Sequence, residues 1–131
     1  MNFDAFVGIP YADKGRGAAL DCWGLVAKVF RELRAIELPS YAEDYVTAED
    51  AKAIAALIAG ELDAWRPIAA GAEQPFDCVL MKECGFPRHI GIVTRPGLLL
   101  HVQRGQTSMI ERYRSGPLKF RIVGFYRLAA A

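Results

Sequence analysis

The chain has 131 residues, 53% hydrophobic and 24% charged, with a net charge of +1. That length suits one core burying roughly two-thirds of the unfolded surface and is too short for two ordinary domains, so residues 1–131 are expected to form a single domain. The composition excludes a disordered chain and a small disulfide- or metal-dependent scaffold, and no apolar run approaches the ~20 residues of a membrane span.

Met1-Asn2-Phe3-Asp4 lacks the basic and apolar regions of a secretory signal, so cytoplasmic synthesis without a signal peptide is expected. Gly8-Ile9-Pro10-Tyr11 and Asp13-Lys14-Gly15-Arg16-Gly17 are dense in turn formers and read as an irregular loop. From Cys22 to about Ala35, Leu25, Val26, Val29, Phe30 and Leu33 recur at three- and four-residue steps, the mark of an amphipathic helix. A second helix is predicted from Thr47, where Thr47-Ala48-Glu49-Asp50 resembles a capping box. Ile54, Leu57, Ile58, Leu62 and Trp65 would form its buried stripe, and Pro67 would close it.

Beyond residue 75 the spacing changes to short β-rich runs near 77–82, 89–94, 98–103, 108–112 and 119–127. Arg95-Pro96-Gly97 is a turn signal, which makes the second and third runs antiparallel neighbours. Helices first and strands second predict an α+β fold, with N-terminal helices packed on a C-terminal antiparallel sheet.

Residues 1–81 carry 7 basic and 13 acidic side chains, a balance of −6, whereas residues 82–131 carry 9 basic and 2 acidic, a balance of +7. The basic residues are spread over several segments, so a solvated sheet face is favoured over nucleic-acid binding. Three cysteines, Cys22, Cys78 and Cys84, cannot all pair within one chain and lack the spacing of a secreted scaffold, so a reducing compartment is expected.

Cys22 falls in the first turn of the predicted helix, where free N–H groups and the positive dipole end stabilise a thiolate. Asp21 suits the N-cap, and Gly24 would let a substrate backbone approach the sulfur. The backbone amides there also suit an oxyanion. A thiol nucleophile needs a base, and the sequence holds two histidines, His89 and His101. Both interrupt apolar strand runs, and the turn at Pro96-Gly97 puts them roughly opposite each other, so that one could orient the other. Cys78, inside an apolar strand, reads as core packing. A zinc site from Cys78, Cys84, His89 and His101 is a rival reading, but the spacings C-x5-C, C-x4-H and H-x11-H contain no tight metal knuckle.

Tyr11, Asp21-Cys22-Trp23-Gly24-Leu25-Val26, Phe76-Asp77, His89-Ile90-Gly91-Ile92 and Leu100-His101 occur in an order that resembles the NlpC/P60 family of papain-like cysteine peptidases. The resemblance implies Cys22 as nucleophile, His89 as general base and acid, and His101 as the residue that orients the imidazole. It implies Tyr11, Asp21 and Trp23 beside the substrate and no cofactor. The implied reaction is hydrolysis of amide bonds in peptidoglycan stem peptides, next to D-γ-glutamyl or diaminopimelyl residues. Trp23 and the closing Gly124-Phe125-Tyr126-Arg127 are similar to phage-tail and gene-transfer-agent members, which implies assembly into a tail beside other tail-tip proteins. A tail-tip protein that keeps the fold as a structural part is the alternative, and it should have lost a triad residue. Phe76 stands where the family pattern has Gly, and Gly15-Arg16-Gly17 where it commonly has W-G-G.

Overall fold

The computed structural model describes residues 2–38, 65–83 and 85–128. The predicted second helix and Cys84 fall outside these residues, except for the helix's last predicted position, Trp65. A 3-10 turn, Phe3–Phe6, precedes helix α1, Cys22–Arg34. Among the described residues six strands follow: β1 Trp65–Ile68, β2 Cys78–Glu83, β3 Phe86–Arg95, β4 Leu98–His101, β5 Met109–Arg112 and β6 Ile122–Leu128. They form one antiparallel sheet in the order β1-β6-β2-β3-β4-β5. The expected α+β architecture is therefore observed, with α1 packed on β3 and β4.

α1 forms because its apolar positions share one face and both ends are capped. Asp21 is the N-cap, its side chain accepting from the Gly24 N–H, and Ala35 closes the helix in the left-handed region at φ 54°. Leu25, Val26, Val29 and Phe30 are buried against Ile90, Ile92, Leu100 and Val102. Each such side chain contributes roughly 1.5–3 kcal/mol by leaving water.

The opposite sheet face is also apolar: Val79, Met81, Val93, Leu99 and Phe125 pack beneath Tyr113 and Leu118. Leu118 arrives on a second 3-10 turn, Pro117–Phe120. This double burial explains why β2 reads as the unbroken run Cys-Val-Leu-Met instead of alternating with polar residues.

One prediction is corrected at Trp65 and Pro67, which belong to a strand and not to a helix end. Among the described residues β1 is an edge strand paired only with β6, through Trp65↔Leu128 and Pro67↔Tyr126. An edge tolerates a proline because half of its amides need no partner. Trp65 is buried edge-on against Phe30 at 5.7 Å.

Three ion pairs among the described residues join the basic half to the acidic half. Arg104 pairs with Asp13, Arg114 with Glu73, and Arg127 grips Asp77 through two 2.8 Å bonds. The Asp77 pair ties the end of β6 to the start of β2.

Just before Asp77, Phe76 has a φ of 75°. A bulky residue there stores about 1–3 kcal/mol of backbone strain. Packing holds it: the ring lies 5.1 Å from Phe3 and 5.7 Å from Phe30, with the Arg34 guanidinium 4.8 Å from its centroid. Phe76→Gly should relieve the strain yet lower stability by about 2 kcal/mol in urea unfolding, because lost aromatic burial costs about 3–5 kcal/mol. An unchanged or raised stability would show that the backbone term dominates.

Candidate active site

The N-terminus of α1 is braced by the loop that precedes it. Asp21 Oδ1 accepts the Gly24 N–H at 2.8 Å and Arg16 Nη1 at 2.7 Å, while the same Arg16 nitrogen also donates to the Gly15 carbonyl. Asp21 is 2% exposed, so its carboxylate is spent on holding the helix start. A Cβ on Gly24 would overlap the Gly15 carbonyl oxygen. Gly24 thus serves the approach of the protein's own loop, which corrects the expectation that it admits a substrate backbone.

Cys22 opens the helix, partly buried, with Sγ 4.0 Å from the carbonyl oxygen of Arg88. The backbone amides of Ile90 and Trp23 also face the sulfur. Arg88 and Ile90 flank His89 on β3. β4 ends at His101, and toward this end it pairs with β3 through Ile92↔Leu100. The sulfur therefore meets the β3 backbone beyond the end of the neighbouring strand.

His89 and His101 meet, roughly opposite each other as the turn position suggested, with a diagonal offset. Carrying the Ile92↔Leu100 register one step sets Gly91 opposite His101, so His89 lies diagonal to it. A Cβ at Gly91 would press on His101 Cβ at 3.2 Å and on the Leu100 carbonyl oxygen at 3.1 Å. Its absence lets the two rings approach, and His89 Nε2 lies 2.8 Å from His101 Nδ1.

Two further residues complete the cluster, both missed in the sequence. Glu111 on β5 places Oε1 2.9 Å from His101 Nε2, and Glu83 on β2 places Oε2 3.7 Å from His89 Nδ1. Glu111 was detectable only through the pairing of β5 with β4, where His101 faces Met109 and Leu99 faces Glu111. Tyr11 lies near enough to Cys22 to feel its charge; its hydroxyl donates to Asp13 at 2.9 Å and Arg104 covers its ring at 5.7 Å. Trp23 is partly buried against the core.

The zinc reading finds no support in this geometry. Cys78 pairs with Ile92 on the sheet face toward α1, whereas His89 pairs with Met81, whose side chain packs on the other face. Among the described residues no group of three or more metal-donor side chains is assembled.

A cysteine at a helix start, a histidine pair on adjacent strands and a helix-on-sheet frame coincide with a family match across residues 8–127. The chain belongs to the NlpC/P60 family. Domains of this family are typically cell-wall peptidoglycan hydrolases, usually cysteine-dependent. No curated protein matches the sequence.

Solved structures share the NlpC/P60 fold. A protein similar to a lipoprotein of the NLP/P60 family from Staphylococcus aureus subsp. aureus Mu50 has a TM-score of 0.68 at 19% identity over 97% of this chain. The NlpC/p60 domain of the peptidoglycan hydrolase SagA scores 0.65 at 16% identity, covering 95% of this chain and 90% of that domain. An NlpC/P60 family protein from Bacillus cereus ATCC 10987 scores 0.68 at 15% identity over 95% of this chain. The chain spans 39% of the S. aureus protein and 37% of the B. cereus protein.

The electrostatics of this NlpC/P60 site depart from one expectation. Burial first, then the Asp21 carboxylate, push the Cys22 thiol up to about 12, and Glu83 adds to the effect. The Ile90 and Trp23 amides oppose the shift without reversing it. The helix start therefore does not yield a resting thiolate. Burial likewise holds His89 well below its ordinary 6.5, with His101, Arg121 and Arg88 acting in the same direction. His101 is lowered as well, by burial, against the raising effect of Glu111. At rest the site pairs a thiol with neutral imidazoles.

This burial makes stability depend on pH. The folded state keeps both histidines neutral, while the unfolded chain takes up protons below about 6.5, so stability falls with pH below that value. Glu73 acts in a lower window: burial alone would raise it, but hydrogen bonds from Tyr113, backbone amides and Arg114 bring it to about 2 from 4.5. Melting temperature should thus already drop between neutral pH and pH ~5, a range set by histidine and not by carboxylates. A flat profile over that range would contradict the neutral buried pair.

Proposed function

We propose that the protein is a cysteine endopeptidase that hydrolyses amide bonds in peptidoglycan stem peptides, next to D-γ-glutamyl or diaminopimelyl residues. The observation that carries this reading is the seating of the Cys22 sulfur at the start of α1 against the β3 backbone that bears His89, with the His89 ring bonded to His101. Membership of the NlpC/P60 family supports the substrate class.

In the proposed reaction His89 takes the Cys22 proton as the sulfur attacks the amide carbonyl. The tetrahedral oxyanion then collapses, the C–N bond breaks, and His89 returns the proton to the departing amine. Water, deprotonated by His89, attacks the thioester; the C–S bond breaks and Cys22 recovers its proton. His101 orients His89, Tyr11 and Trp23 line the approach to the sulfur, and Asp21 holds the helix start. No cofactor takes part in this scheme.

Purified muropeptides of several peptide chemistries, digested and analysed by mass, test the assignment. Fragments cut within the stem peptide are expected, and an intact set throughout would remove the peptidoglycan reading.

The tail setting rests on Trp23 and Gly124-Phe125-Tyr126-Arg127 alone. In that proposal the protein is made in the cytoplasm as one domain and built into a tail beside tail-tip proteins. Its recovery in purified tail particles is the corresponding test.

A further inference from the structure

The hydrogen-bonded chain from Glu111 to His101 to His89 has a direction, and the direction is set at its outer end. A carboxylate accepts hydrogen bonds and does not donate them. The 2.9 Å contact with Glu111 Oε1 therefore requires a proton on His101 Nε2. A neutral imidazole carries one proton, so His101 Nδ1 presents a lone pair. The 2.8 Å contact between His101 Nδ1 and His89 Nε2 then requires a proton on His89 Nε2. His89 Nδ1 is left with its lone pair.

We propose that Glu111 is a positioning residue that fixes the tautomers of both histidines and leaves the lone pair of His89 on Nδ1. This rests on the peptidase reading for its consequence in catalysis, but the tautomers themselves are independent of any substrate. The neutral state of both rings supports the single-proton count. Other charges face the pair as well. Glu83 of β2 approaches His89 Nδ1 at 3.7 Å, and Arg88 lies beside His89 on β3. Arg121, between the second 3-10 turn and β6, acts on both rings while donating to the Lys82 carbonyl and to Gln103. Glu83 lies beyond 3.5 Å and can receive no proton from His89 Nδ1 in this arrangement, whereas Glu111 makes a short contact.

The test is nitrogen-15 NMR of the histidine rings in the full chain at pH ~7.5, above the ordinary histidine range. The wild type should show both rings protonated at Nε2. Glu111→Lys, whose ammonium can only donate, should invert the chain and put the proton on Nδ1 of both rings. Glu111→Gln, able to accept or donate, should give a mixture, and Glu111→Asp should restore the wild-type pattern. In muropeptide cleavage Glu111→Lys should lower kcat about a hundredfold, within the range of general-base contributions, with KM little changed. A wild type protonated at Nδ1 on either ring would overturn the proposal. So would Nε2 protonation and wild-type kcat retained in both Glu111→Lys and Glu111→Gln. If the wild type cleaves no muropeptide, the substrate reading fails while the ring spectra still decide the tautomer assignment.

Discussion

Replacing Cys22 with alanine should reduce muropeptide cleavage to background. Loss of a hydrolase nucleophile costs on the order of a million-fold in turnover, because the partners that act through it have nothing left to activate. The fold should be unaffected. Asp21 caps α1 through Gly24, and Leu25, Val26, Val29 and Phe30 hold the helix to the sheet without help from the sulfur. The expected stability change is below about 1 kcal/mol. Turnover and unfolding should be measured on the same preparation. A folded variant that still cuts at a substantial fraction of the wild-type rate would remove Cys22 from the chemistry.

The second large effect belongs to a residue with no side chain. Gly24→Ala would drive a methyl group into the Gly15 carbonyl oxygen, with Arg16 Nη1 at 3.0 Å and Asp21 Oδ1 at 3.2 Å on either side. The obstacle is backbone, which cannot swing aside as a flexible side chain would. The loop 15–21 must move, and with it the Arg16–Asp21 pair that caps the helix. A loss of about 3 kcal/mol is expected, the upper end of overpacking costs, together with lost activity because Cys22 sits at the displaced end. Chemical unfolding gives the first quantity. Stability equal to wild type would mean that the loop yields easily and that Gly24 has some other purpose.

Much of the candidate site was legible because the chemistry proposed for it calls for unusual residues in ordinary surroundings. Cys22 at an apolar helix start and two histidines inside apolar strands stand out from periodicity alone. The five C-terminal strands were also readable, since their turns and β-branched runs are local signals. β1 was not, because Trp65 and Pro67 look locally like a helix end, and only pairing with β6 makes them a strand. The diagonal meeting of the histidines depends on register and on the missing side chain of Gly91. Glu111 was hidden for a similar reason: one acid among arginines reads as solvated surface until β5 is laid beside β4. The resting state of Cys22 depends on burial and on neighbouring carboxylates, which a helix-start argument omits.

The strand order carries a consequence for how the protein is made. β6, the last of the described strands, lies between β1 and β2 and is hydrogen-bonded to both. While the chain emerges from the ribosome, β1 has no sheet to join and one side of β2 stays open. Arg127, the counterion of Asp77, also arrives only with β6. Completion of the sheet therefore waits for nearly the whole described chain, and nascent chains stopped short of residue 122 should expose strand edges to chaperones and to one another.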